Sequence, residues 1–327
     1  MKKNVNFAKK LFINISILLL LQILVLGIKN SYCTGLYWQV ASPNGNRFMT
    51  TPAVATIGSD TVVYSAVAKE FWGSSDCVLY AFTDAGSSAS LRWSYNLSVN
   101  ITYGNGAHIS NIIVDNGVLY IGPGYTNSKG SIIAINADTG AKIWEQTAND
   151  YRSHYVSLES STNTLFVVDG KYVRALDTAN SGEQKWQTGP YGKNYILSIS
   201  AVSNNTVYIG TDDFKVYAIN ASNGALKWSY TTGREVKSTP VRVGNLVYFG
   251  SNDGYVYCVL DNENSASLVW QYKTTDYAYV RATPEVTDGT VYIGSEYKYL
   301  YALDANTGSL KWKFKSGKHI QSRSYRC

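Results

Sequence analysis

Apolar and polar positions alternate along most of this chain in short runs, and the same runs return in the same order. One kind is apolar, β-branched or aromatic and closes on glycine: Leu119-Tyr120-Ile121-Gly122, Val207-Tyr208-Ile209-Gly210, Val247-Tyr248-Phe249-Gly250 and Val291-Tyr292-Ile293-Gly294. A second run with period-two alternation follows it, at residues 132–136, 216–220 and 300–304. Such runs predict β-strands of four to six residues. Between the second run and the next tryptophan stands Ala137-Asp138-Thr139-Gly140, Ala221-Ser222-Asn223-Gly224 or Ala305-Asn306-Thr307-Gly308. Asp or Asn near a glycine predicts a tight hairpin, because glycine takes positive φ without a clash. Upstream, Thr51-Pro52, Thr239-Pro240 and Thr283-Pro284 mark strand starts, where a missing backbone donor costs nothing. Each unit therefore holds four short strands.

The stride of the units is fixed by tryptophan. Trp144, Trp186, Trp228, Trp270 and Trp312 stand 42 residues apart each time, and Trp93 precedes the series by 51. A repeat of this length with four strands predicts one propeller blade per unit, because a lone four-stranded sheet cannot bury both faces. Two units depart from the pattern: residues 87–90 and 265–267 carry Ser and Ala in place of the Asp/Asn-Gly turn. Both departures fall in outer hairpins, where loop changes are expected to cost little.

The string A-x-x-G-x-x-x-W, following V-Y-x-G and L-Y-A-L-D, resembles the PQQ-like repeat over roughly residues 36–321. That resemblance implies an all-β propeller, with six complete blades and part of a seventh. It also implies that the tryptophans pack between adjacent blades, with the turn glycine making room. Those roles carry over to Trp93, Trp144, Trp186, Trp228, Trp270 and Trp312 and to Gly140, Gly182, Gly224 and Gly308. Leu36-Tyr37-Trp38 lies as far from Pro52 as Trp270 does from Pro284, so it reads as an outer strand of the seventh blade. Residues 316–322 align with residues 232–238, but no Thr-Pro start follows. Two arrangements fit: a chain cut short within the seventh blade, or a six-bladed ring closed by overlapping terminal strands.

Composition agrees with β structure, with 27 Tyr, 27 Gly and 8 Trp against 2 Met and 6 Pro. The formal charge of +6 is an effect of the N-terminus: Lys2, Lys3, Lys9, Lys10 and Lys29 precede residue 34 and no acid does. Without those five lysines, 24 basic residues face 23 acidic ones, a net +1. A near-neutral body gives no basic face for nucleic acid. The lysines lead into an apolar stretch at residues 11–28. Residues 1–33 therefore read as a signal peptide or an N-terminal membrane anchor, and residues 34–327 as the propeller. Cys33 would suit a lipid anchor, except that Tyr32 stands where a small residue is needed.

No set of residues carries chemistry. Cys33, Cys77, Cys258 and Cys327 show no C-x-x-C spacing, and His108, His154 and His319 show no ligand spacing. The quinoprotein dehydrogenases that share the repeat imply adjacent cysteines, a calcium site of Glu, Asn and Asp, and a longer eight-bladed chain; none is visible here. Asn252-Asp253-Gly254 and Asp212-Asp213 read as turn residues, without the distal glutamate of a calcium loop. No catalytic residue, metal ligand or cofactor is nominated. Beyond the N-terminal leader, four N-x-S/T sequons stand at Asn96, Asn100, Asn204 and Asn220.

One pattern points to binding. The segments that join each tryptophan strand to the next unit are rich in rings and bases: Tyr103, His108, Tyr151, Arg152, His154, Tyr155, Tyr191, Lys193, Tyr195, Arg234, Lys237, Tyr277, Tyr279, Arg281, Lys318 and His319. In a propeller they emerge on one face, and rings with hydrogen-bonding tips suit proteins, peptides or glycans. The expected function is a non-enzymatic extracellular or cell-envelope scaffold, meeting a membrane only through its N-terminal segment. The resemblance adds two alternatives, an envelope protein assembly factor and a PQQ-dependent dehydrogenase-like enzyme.

Overall fold

The computed structural model describes residues 47–48, 52–68, 77–97, 107–108, 111–125, 129–150, 155–199, 202–275, 278–297 and 299–316. Apart from a two-stranded ribbon of Ala107–His108 and Gly124–Tyr125, they form six consecutive antiparallel sheets, each with four strands in chain order. The third sheet is typical: Val156–Glu159, Thr164–Asp169, Tyr172–Asp177 and Glu183–Thr188 pair in sequence. The first sheet carries a fifth strand, Arg47–Phe48, beside Ala53–Ile57 on the same partner. First strands of neighbouring sheets lie together, as Ile112–Asp115 does with both Ala53–Ile57 and Val156–Glu159. A cavity of about 390 Å³ opens between Ile113, Leu158 and Ile199 of three such strands. The sheets are thus the blades of a β-propeller, with first strands inside and fourth strands outside. The proposed seventh-blade pieces at Trp38 and beyond Ser316, and the N-terminal leader, lie outside the described residues.

Position in the blade decides the polarity of each strand. Second strands are covered on both faces by neighbouring sheets, so Thr164–Asp169 and Thr206–Thr211 are buried at every position. Fourth strands stand at the rim and alternate between buried and exposed, as in Lys142–Thr147. Along each blade one row recurs. A ring on the second strand faces a small residue on the third, which faces tryptophan on the fourth: Tyr64, Ala81, Trp93 in the first and Tyr248, Cys258, Trp270 in the fifth. The small residue lets the two rings meet above it. Their centroids lie 5.7 to 6.0 Å apart in all six blades, tilted by 40° to 49°. A register shift follows each small residue, adding the extra fourth-strand position that a bulge supplies.

The ring pairs of the first five blades are aimed at the next blade. Trp93 Nε1 and Tyr64 Oη both donate to the carbonyl of Ala137, each at 3.0 Å. Trp270 Nε1 and Tyr248 Oη do the same to Ala305, at 2.8 and 3.2 Å. Trp186 Nε1 donates to Ala221 at 3.1 Å; its ring partner Phe166 has no hydroxyl to add. The turn glycine of the receiving blade lies flat against the indole. A Cβ on Gly140, Gly182, Gly224 or Gly308 would stand 2.6 to 2.8 Å from the ring of Trp93, Trp144, Trp186 or Trp270.

The fifth blade solves the same problem differently. Its third–fourth turn has no glycine, and Asp261 occupies the place of the alanine. The Asp261 carboxylate takes Tyr208 Oη at 2.5 Å and Trp228 Nε1 at 2.8 Å. It also accepts from the amide of Glu263, which holds positive φ in this turn. The Ser-Ala-Ser departure, expected to be nearly free, is therefore compensated by a buried carboxylate.

Cys258 is the small residue of its row and is fully buried; burial pushes its thiol up to about 12. Cys77 is also buried. At a pKa near 12, about one thiol in ten thousand is ionised at pH 8. In a chain with Cys33 and Cys327 changed to serine, a thiol reagent is expected to find nothing until denaturant releases both remaining thiols together. Fast native-state reaction would contradict this burial.

Candidate functional site

Because the strands alternate in direction, second–third turns share one face of the propeller with the connections that lead from one blade to the next. Third–fourth turns lie on the opposite face. The second–third turns of the third to sixth blades are acidic or amide-bearing and follow directly on a buried strand, which anchors them. Their carboxylates collect the backbone N–H groups of the inter-blade connections. Asp169 accepts from Asn149 and Asp150, Asp212 from Asn194, and Asp253 from Gly233, all at 2.8 to 3.0 Å. Asp169 also holds the buried Arg174 at 3.1 Å. Tyr257 Oη donates to Asp253 at 2.7 Å, and Tyr217 Oη to Asp213 at 2.6 Å. Burial and these bonds to carboxylates keep both phenols protonated far above the usual range.

On this rigid base the connections around the fifth blade bring three predicted residues together. Tyr279 lies between two guanidiniums, Arg281 at 4.5 Å and Arg234 at 5.9 Å from the ring centroid. Arg281 is fixed: it donates to Asn252 at 2.9 Å and to Glu296 at 2.5 Å. Asn252 in turn donates to Glu235 at 3.1 Å. Burial raises the Glu235 carboxyl, but the bond from Asn252 and the nearby Lys237 and Arg234 outweigh it and hold the group below the usual carboxylate range. Arg234 is exposed, and its guanidinium makes one long bond, 3.4 Å to Tyr279 Oη. The carboxylates here are occupied by the protein's own donors, while Arg234 offers its fork outward. Such a fork on an aromatic plane binds carboxylates and backbone carbonyls.

The other predicted residues separate. Lys193 is exposed beside half-buried Tyr195, and Lys237 is half-buried. Tyr155 packs into the core between the third and fourth blades. Tyr191 is a correction to the expected face: it is buried, bonded to Thr188 at 3.0 Å, with its ring tilted 48° against Tyr217 at a centroid distance of 4.9 Å. Tyr103, Tyr151, Arg152, His154, Tyr277, Lys318 and His319 lie outside the described residues, and only the backbone of His108 is described. Among the described residues no three His, Cys, Asp or Glu side chains gather as metal ligands. Sequence reasoning missed Asn252, Glu235 and Glu296 as members of the cluster. Their signal was the polar pair or acid directly after each glycine-ended strand, at Ser251-Asn252-Asp253 and Ser295-Glu296.

Residues 75–314 match the family model described as outer membrane protein assembly factor BamB. Curated proteins of that name from Yersinia pestis and Moranella endobia are each 28% identical, over 58% and 69% of this chain. The matches span only 53% and 62% of those two proteins. Quinohemoprotein alcohol dehydrogenase ADH IIB from Pseudomonas putida is 25% identical over 55% of this chain and 28% of its own length. Among solved structures, BamB from Moraxella catarrhalis superposes with a TM-score of 0.56 at 20% identity, covering 80% of this chain and 72% of that one.

Proposed function

Since the chain belongs to the family of the outer membrane protein assembly factor BamB, we propose that it is a non-enzymatic scaffold of the cell envelope, holding other proteins of outer-membrane-protein assembly on its inter-blade face. The observation that carries the reading is the Arg234–Tyr279–Arg281 cluster. It spans two connections, is braced by two second–third turns, and leaves one guanidinium turned to solvent. Rigid loops with an exposed arginine on an aromatic ring are what a protein-binding surface needs. The same side chains form no nucleophile–base pair, which supports a binding role over a catalytic one. The likeness to a quinohemoprotein dehydrogenase fits a shared blade architecture, since one fold hosts unrelated functions.

The test is affinity purification of the tagged full chain from the envelope of its own host, beside Arg234→Glu. Arg234 is exposed, so the variant is expected to fold and melt like the parent. Outer-membrane assembly proteins should co-purify with the parent and fall about tenfold with the variant. Equal recovery by both chains, or no such protein with the parent, would overturn the proposal.

A further inference from the structure

The fourth strand of the sixth blade, Leu310–Lys315, is bonded to Tyr299–Asp304 and, among the described residues, to no strand on its other side. An open strand edge presents a row of N–H and C=O groups that a second chain can extend. Along this edge the strand reads Leu310, Lys311, Trp312, Lys313, Phe314, Lys315, with a bulge at Lys311 and alternation from Trp312 onward. Lys313 and Lys315 share one face, opposite Tyr301 and Tyr299, while Trp312 and Phe314 share the other and Lys311 stands in the bulge. None of the other five fourth strands carries more than one lysine.

The lysines are not equivalent. Lys311 is engaged by its own blade, 3.4 Å from Asp304 and bonded to Gly289 and Thr290. Lys313 and Lys315 have no carboxylate at ion-pair distance among the described residues. Both ammoniums lie over the single ring of Tyr299, at 5.3 and 5.6 Å, and Lys313 also reaches Thr275 of the fifth blade at 3.1 Å. Two like charges about 7 Å apart on one strand face repel each other, and an anion set between or opposite them relieves that cost. The same row argues against a second copy of this chain as the occupant, since edge-to-edge pairing would set lysine against lysine.

We propose that this edge receives an extended acidic segment of another polypeptide as a fifth strand of the sixth blade. Its carboxylates would stand at alternate positions opposite Lys313 and Lys315. Its intervening apolar side chains would lie beside Trp312 and Phe314. This surface is on the rim, uses none of the residues of the Arg234 cluster, and is argued independently of it.

The probe is a labelled peptide, Thr-Glu-Val-Glu-Val-Glu-Thr, titrated with the full chain at low salt and followed by fluorescence anisotropy. Three comparisons accompany it: the peptide with lysine for glutamate, the peptide N-methylated at alternate amides, and the variant Lys313→Glu/Lys315→Glu. The acidic peptide is expected to bind the parent, and to weaken at least about tenfold on the variant and on N-methylation. The lysine peptide should prefer the variant. Arg234→Glu should leave all of this unchanged, so failure here and failure of the inter-blade face are separable. Should the charge-reversed chain not fold, Lys313→Gln/Lys315→Gln takes its place with the same expected direction. No binding to the parent, equal binding to parent and variant, equal binding after N-methylation, or dimerisation of the chain through this edge would each overturn the proposal.

Discussion

Replacing Asp261 by alanine is expected to cost about 4 kcal/mol of folding stability, because one partner of a buried charged set is removed and the others are stranded. The Asp261 and Arg242 side chains are 3% and 7% exposed and lie 3.7 Å apart. Arg242 Nε has no hydrogen-bond acceptor of its own, so the carboxylate is its nearest counter-charge. Tyr208 Oη, Trp228 Nε1 and the Glu263 amide would lose their acceptor at the same time. Asp261→Asn keeps one carbonyl oxygen but not the charge, and its cost should fall to about 2 kcal/mol. Urea unfolding followed by tryptophan fluorescence measures both. A loss below about 1 kcal/mol for the alanine variant would mean that the main-chain carbonyl of residue 261 takes over, as those of Ala221 and Ala305 do in their blades.

Gly308→Ala should cost about 3 kcal/mol, from two causes that a neighbouring glycine separates. At φ +72 any side chain is strained, which accounts for about 1 kcal/mol. The larger share comes from the indole of buried Trp270. The new methyl would lie 2.6 Å from Cδ2 and 2.7 Å from Cε3, and both ring hydrogen bonds to Ala305 hold the indole in place. Gly289, in the first–second turn of the same blade, has φ +66 and nothing within 4 Å of the same methyl. Gly289→Ala should therefore show the strain alone, about 1 kcal/mol. Equal losses at the two positions would mean that the indole does not depend on the glycine.

The regular stride of tryptophan made the blade count and strand order readable from the chain, because each strand is local and its alternation reflects its own exposure. Pairing across the blade was less visible. The ring, small residue and tryptophan of one row lie on three strands, as Tyr208, Ala218 and Trp228 do, and only register brings them into line. Asp261 carries no signal of its own in the sequence, since its role exists only against Tyr208 and Trp228 of the preceding blade. The inter-blade face was legible as a class of residues and not as a site. Arg234 and Tyr279 are 45 residues apart and meet because two connections fold onto turns that donate Asn252 and Glu296. Tyr191 shows the converse, a loop tyrosine in the sequence that the fold draws into the core through Tyr217.

The most direct measurement is photo-crosslinking in the living host from an aromatic crosslinker placed at Tyr279, with a second placed at Asn306 on the opposite face. A scaffold that holds assembly proteins on its inter-blade connections predicts an outer-membrane assembly protein captured from position 279 and none from position 306. Capture of such a protein from 306 alone, or no adduct from 279 when the chain is abundant in the envelope, would contradict it.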